Sequence, residues 1–145
     1  MPERIVFPDI EAVLVGYLTT ELSELADTAQ VVTQVPDPRP ARLVRIVRDD
    51  RSPRLDREDR EGRRGSLLIL DRPRVRLECS DDTGDAAGLA GLVRAILAGA
   101  APGYLGAVWC DGIADAGLEN DTDPATCTPR QVITADLFVR GTVLA

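Results

Sequence analysis

Two stretches place core-type residues at every second position, and they limit the fold more than anything else in the chain. In Arg74–Cys79, Val75, Leu77 and Cys79 stand at every second position with Arg74, Arg76 and Glu78 between them. In the final stretch Ile133, Ala135, Leu137 and Val139 interleave with Val132, Thr134, Asp136, Phe138 and Arg140. Successive strand residues point to opposite faces, so each stretch reads as a strand with one face in a core; the other face is wet in the first and mixed in the last, where Val132 and Phe138 would be wasted on solvent. A sheet with one apolar face needs a second layer to cover it.

Two segments can supply that layer. In the stretch beginning at Phe7, Pro8 and Asp9 give a helix start signal, and Asp9 and Glu11 place negative charge beside the first-turn amides. Ile10, Val13, Leu14, Tyr17, Leu18 and Leu22 then recur at helical spacing. After Ser80, Asp81 or Asp82 can cap a second helix, Leu89, Leu92, Val93, Ile96 and Leu97 make its stripe, and Gly99 with Pro102 stops it. Small residues at Ala87, Gly88, Ala90 and Gly91 suit close approach to a sheet.

The other strands are read from β-branched or apolar runs. Gln30–Val35 is ended by the prolines of Pro36–Pro40, Ala41–Arg48 follows, then Ser66–Leu70, and Tyr104–Gly117 is joined to the last strand by an acidic turn over Leu118–Pro129. The expectation is one α+β domain spanning residues 1–145, with two helices on one face of a mostly antiparallel sheet of about five strands. A long charged loop should lie between strands two and three.

That loop belongs to the most unusual run of the sequence, in which an arginine falls on every third residue from Arg39 through Arg63. A period of three matches neither the strand repeat nor the helical one, so no single face can collect these side chains. All seventeen basic residues are arginine, and the net charge is -7. An acidic chain is a poor grip for a polyanion, and the acids woven through Asp49–Gly65 argue the same way. With almost nothing apolar but Leu55, residues 49–65 read as a charged arm or loop. Either it is merely solvated, or Arg48, Arg51, Arg54, Arg57, Arg60 and Arg63 contact a neighbouring protein.

No catalytic constellation is legible. There is no histidine, and Cys79, Cys110 and Cys127 are odd in number with no C-x-x-C pair, so reduced, mostly buried thiols are expected rather than disulfides or a zinc site. The acidic stretch Glu119–Pro124 lacks the glycine and terminal glutamate of an EF-hand loop. Gly84–Gly91 has no G-K-[ST] and no G-x-G-x-x-G. Trp109 reads as core or partly buried strand. No window is long and apolar enough for a membrane span, and no export signal is expected at the N-terminus. Enzyme, catalytic, metal and cofactor assignments are therefore all "none".

Taken in series, four segments resemble the tail terminator proteins of long-tailed phages of actinobacteria. They are "FPDIEAVLVGYL", "VPDPRPARLVRIVR", "LDRPRVRLECSDDTGDAAGLAGLVRAIL" and "NDTDPATCTPRQVITADLFVRG". The resemblance implies a virion structural protein of the tail neck, assembled in the host cytoplasm. It would form a hexameric ring that caps the tail tube and offers a surface for joining the head. Its partners would be further copies of itself, the tail tube protein and a head–tail connector or stopper protein, with DNA passing through the lumen unbound and no membrane involved. Val132, Thr134, Asp136, Phe138 and Arg140 are the expected subunit contact, and the acids around Asp81–Asp85 and Glu119–Asp123 the candidates for the lumen wall. A head completion or stopper protein is the alternative neck component, and a nucleic-acid-binding module using the arginine-rich segment is the alternative from another class.

Overall fold

The structure, a computed structural model, describes residues 4–50, 62–64 and 68–143. In chain order it comprises β1 (Ile5–Val6), α1 (Ile10–Glu24), β2 (Gln30–Val32), β3 (Arg42–Arg48), β4 (Gly62–Arg64), β5 (Leu68–Asp71), β6 (Arg74–Asp81), α2 (Ala86–Ala100), β7 (Gly103–Leu105), β8 (Val108–Thr122), β9 (Pro129–Arg140) and β10 (Thr142–Val143).

β9 is the spine of the sheet. One of its edges carries β8, from Thr122 opposite Pro129 to Cys110 opposite Val139. The other carries β6 and then β5, which hold one unbroken antiparallel register: Arg74 faces Asp136, Asp71 faces Val139 and Leu70 faces Arg140. Between them Pro73, with no N–H to give, still accepts the Leu137 N–H on its carbonyl at 3.0 Å. Along the far edge of β5–β6 lie β3 and β4. β2 runs parallel to β3 on the outside, and β7 forms a hairpin with β8 around Gly106 at φ +62°. β1 and β10 make a separate antiparallel pair.

The α+β class is therefore as expected, but the sheet is larger, with six to seven strands curled into a half-barrel. Three local facts enlarge it. Tyr104–Gly117 contains a hairpin rather than one strand, Leu118–Thr122 extends β8 instead of turning, and Gly62–Arg64 of the expected loop is itself a strand. The acidic turn shrinks to Asp123–Thr128, closed by the Asp123 N–H on the Thr128 carbonyl at 2.8 Å. Residues 51–61 and 65–67, with Arg51, Arg54, Arg57 and Arg60, lie outside the described residues.

Both helices pack on one face, α1 over β2 and β3, α2 over β6, β8 and β9. In α1 the buried set is Ile10, Leu14, Leu18 and Leu22, one residue per turn, with Val13 and Tyr17 at its margin. Asp9 caps it by accepting the Ala12 N–H at 3.3 Å. Its C-terminus closes with the Ala26 N–H on Ser23 and the Asp27 N–H on Leu22, which places Ala26 at φ 58°, the position where glycine is usual. In α2 Leu89, Val93, Ile96 and Leu97 are buried with Ala86, Ala90 and Ala100, while Leu92 is half-buried. Two expectations fail there. Asp81 ends β6 and Asp85 occupies the N-cap, so neither Asp81 nor Asp82 caps the helix. Of the small residues only Ala90 meets the sheet, whereas Ala87, Gly88 and Gly91 face outward. The sheet's contribution is as read: Val75, Leu77, Cys79, Ile133, Ala135, Leu137 and Val139 are all at most 1% exposed.

Candidate functional site

The second face of the sheet is not wet. It carries a layer of arginines and carboxylates in which each acid is largely covered by the cations around it. Glu78 on β6, only 6% exposed, accepts Arg45 from β3 at 3.0 Å and lies 3.3 Å from Arg130 on β9 and 3.6 Å from Arg76. Arg130 also grips Asp121 of β8 at 2.6 Å. Two rungs away, Arg74 forks onto both oxygens of Asp136, at 2.7 and 2.8 Å, in the cross-strand position that the register dictates. Arg72 lies 4.7 Å from the centroid of the Phe138 ring. A buried charge is tolerated only when paired, and here charges of opposite sign alternate across neighbouring strands, so every buried acid of this face has a cation at hand.

The first four arginines of the threefold repeat, Arg39 to Arg48, are absorbed in the same manner. Arg39 pairs with the nearly buried Asp123 of the β8–β9 turn. Arg42 joins Asp27, Asp81 and Asp85, from three separate segments. Arg45 meets Glu78, and Arg48 meets Asp50 and Asp71, the latter 2% exposed. These pairings hold the guanidinium protonation of Arg42 and Arg48 above its ordinary range: at Arg42 chiefly through the hydrogen bond to Asp27, and at Arg48 through Asp50 and Asp71 against the opposing effect of burial. Arg48, expected in the contact arm, is thus an intramolecular clamp at the end of β3. Arg63 stands in β4.

The five β9 residues expected to form a subunit contact differ in access. Val132 is fully buried and Asp136 is 4% exposed, both covered within the chain; Thr134 and Phe138 are half-buried. Arg140 is exposed and pairs with Asp111 at 2.9 Å. The sequence hid this because Val132 stands at an outward-facing position of the strand, and its burial appears only in the folded chain. The signal that could have revealed the layer is the run Arg74, Arg76, Glu78 matched against Val132, Thr134, Asp136, once the two strands are set in register.

Of the acids expected on a lumen wall, Asp81, Asp85, Asp121 and Asp123 are spent on arginines, and among the described residues Asp82 and Glu119 carry no ion pair. Asp81 is held down at about 2 by the Thr83 hydroxyl and by Arg42. Asp85 lies across the first turn of α2, so near Gly88 that a side chain there would strike its carboxylate; this occupies the space a phosphate would need at that helix start. Burial raises the Cys79 thiol to about 12 and pushes Cys110 up as well, while Cys127 is exposed, in keeping with thiols expected to be mostly buried. Trp109 is half-buried; it meets Tyr104 edge-on at 5.0 Å across the β7–β8 hairpin and donates to Asp111 at 2.8 Å.

A cleft of about 280 Å³ opens on this face between Val35, Leu43, Ser80 and Pro124, with Arg39, Arg45 and Arg130 on its walls. Each of those arginines already has a carboxylate partner. Among the described residues there is no group of three or more His, Cys, Asp or Glu side chains placed to hold a metal ion, and no helix is long and apolar enough to cross a membrane.

The remaining surface of interest is backbone. β7 covers β8 only from Val108 to Cys110, and among the described residues no strand pairs with that edge of β8 from Asp111 to Thr122. Ala114 through Asn120 are all exposed, Leu118 to 42%. At the opposite end of the sheet, among the described residues, β4 pairs only with β5. Neither a protein-family model nor a curated protein matches the chain.

Proposed function

We propose that the chain is a structural subunit of a phage tail neck, a tail terminator that closes the tail tube as a ring, of hexameric order, and presents the surface to which the head is joined. The reading starts from the serial likeness of four sequence segments to tail terminators of actinobacteriophages. The observation in the fold that favours it is that, among the described residues, no strand covers the outer edges of β8 beyond Cys110 and of β4, at opposite ends of one sheet. Different edges at opposite ends allow head-to-tail association, which gives a ring when the rotation closes. In this reading the arginine–carboxylate layer makes the subunit rigid rather than sticky, because its charges are satisfied internally. Its partners are further copies, the tail tube protein and a connector or stopper protein, and DNA traverses the lumen without specific binding.

The test is made on particles. Phage lacking this protein should carry tails of irregular length that fail to join heads, and the purified protein should show rings by negative stain. Tails of uniform length that join heads normally in its absence would remove the terminator assignment. Tight, steeply salt-dependent binding of the purified protein to duplex DNA would instead favour a nucleic-acid-binding module.

A further inference from the structure

We infer that Arg94, Asp115 and the bulge between Asp115 and Gly117 form a latch that keeps the outer edge of β8 from adding a strand while the subunit is free. The ring reading above supplies only the biological setting, in which copies have to stay apart until they reach the end of the tube. The latch itself stands on the geometry of the edge.

A strand edge left exposed is a template for another chain, the more so where it carries little charge. The run Gly112-Ile113-Ala114-Asp115-Ala116-Gly117-Leu118 holds one charged residue, Asp115, and every residue from Ala114 to Leu118 is exposed. The bulge falls at that one charge. Asp115 lies opposite Ala135 and Gly117 opposite Thr134, so Ala116 is the extra residue, and the regular spacing of the edge breaks between residues 112–115 and 117–122. A straight incoming strand can follow one of these runs but not both.

Two contacts hold the bulge in place. The Asp115 carboxylate accepts the Gly117 N–H on Oδ1 at 3.0 Å and the Arg94 Nε–H on Oδ2 at 2.8 Å, which ties the strand to α2. Gly117 takes φ +140°, a conformation that residues with a side chain rarely adopt, so the position calls for glycine. Arg94 and Asp115 also border a cleft of about 100 Å³ whose other walls are Leu97, Ala98, Ile113, Ile133 and Ala135. An aliphatic side chain of an added strand is what such walls would take, and the closed pair stands at its rim. The side chains of Arg94 and Asp115 are each 44% exposed, and an ion pair so open to water is weak. Such a latch discourages chance pairing between free copies and gives way when a neighbouring copy is held in place.

Deleting Ala116 tests the latch directly, because it restores an unbroken register against Thr134 and Ala135. Asp115→Ala removes both hydrogen bonds, and Asp82→Ala, which takes an equal charge from an exposed residue elsewhere, is the control. Self-association of the full chain would be followed by sedimentation velocity and light scattering. Hydrogen exchange of the β8 amides would report where copies meet, and circular dichroism would establish that each variant is folded. The expected result is that the deletion and Asp115→Ala associate about tenfold or more tightly than the original, since each returns hydrogen-bonding groups to the edge. Exchange should slow over residues 112–122 in both, while Asp82→Ala matches the original. If either variant fails to fold, Arg94→Ala, which opens an exposed pair and leaves the strand intact, decides in the same way. Folded variants that associate no more tightly than the original overturn the latch, as does an equal gain in Asp82→Ala or association that leaves exchange of the β8 amides unchanged. Tails of uniform length in particles lacking the protein would remove the ring reading and leave the latch standing.

Discussion

Replacing Arg42 by alanine tests how the fold is held at its margin. The guanidinium reaches three segments at once: both oxygens of Asp27 after α1, each at 2.9 Å, Asp81 at the end of β6 at 2.7 Å, and Asp85 before α2 at 3.2 Å. Arg42, Asp27 and Asp81 have side chains only 15%, 10% and 7% exposed, whereas Asp85 is 62% exposed and its contact is largely screened. Removing the cation leaves two covered carboxylates facing each other without a counter-charge. Breaking a buried pair from one side costs about 3–5 kcal/mol. For a chain of this size that lowers the melting temperature by roughly 10–15 °C.

The pH dependence of that loss has a definite sign. Arg42 holds the Asp27 carboxyl below its ordinary value, and Asp81 is held at about 2 by Thr83 and Arg42 together. A carboxylate with a depressed folded value contributes stability above about pH 4, and that contribution is lost as the pH falls towards 2. The deficit of Arg42→Ala should therefore be full at pH 7 and shrink below pH 4, where the original protein loses what the variant already lacks. Urea titrations followed by circular dichroism at pH 7 and pH 3 measure both ends. Arg42→Met, which keeps most of the aliphatic stem, separates lost packing from lost charge and should recover little at pH 7. A deficit under about 1 kcal/mol at pH 7, or an equal deficit at both pH values, would refute the account.

Other outcomes follow from single positions. Val132→Ala should destabilise the isolated subunit by about 1–3 kcal/mol, because its side chain is fully buried within the chain; an unchanged urea midpoint would mean that it packs only against a neighbour. Ala26→Gly should stabilise by about 0.5–1 kcal/mol, since alanine sits in the left-handed region at the exposed end of α1, and a loss in thermal denaturation would contradict that. Native protein at pH 8 should label rapidly at one thiol, Cys127, and at three after unfolding; fast labelling of Cys79, whose thiol burial raises to about 12, would show that the sheet opens readily.

Period alone settled much of this protein. The alternation through Val75–Cys79 and Ile133–Val139 and the helical spacing from Ile10 to Leu22 fix which residues enter the core, because strand and helix geometry leave a given side chain one face to occupy. Local spacing could not say what lay on the other face. Arg74, Arg76 and Glu78 look like solvent-facing positions until the register sets Asp136 beside Arg74 and brings Arg45 and Arg130 to Glu78, and Val132 on the same face is fully buried. The arginine repeat misled for a related reason: a period of three fits no face, but side chains on opposite faces of β3 can each find a carboxylate from a different segment, as Arg42 does with Asp81 and Arg45 with Glu78. Strand edges are likewise invisible in a sequence, since whether a strand is flanked depends on pairings between residues far apart in the chain. The core was determined by local geometry, and the charged face and the open edges by long-range register.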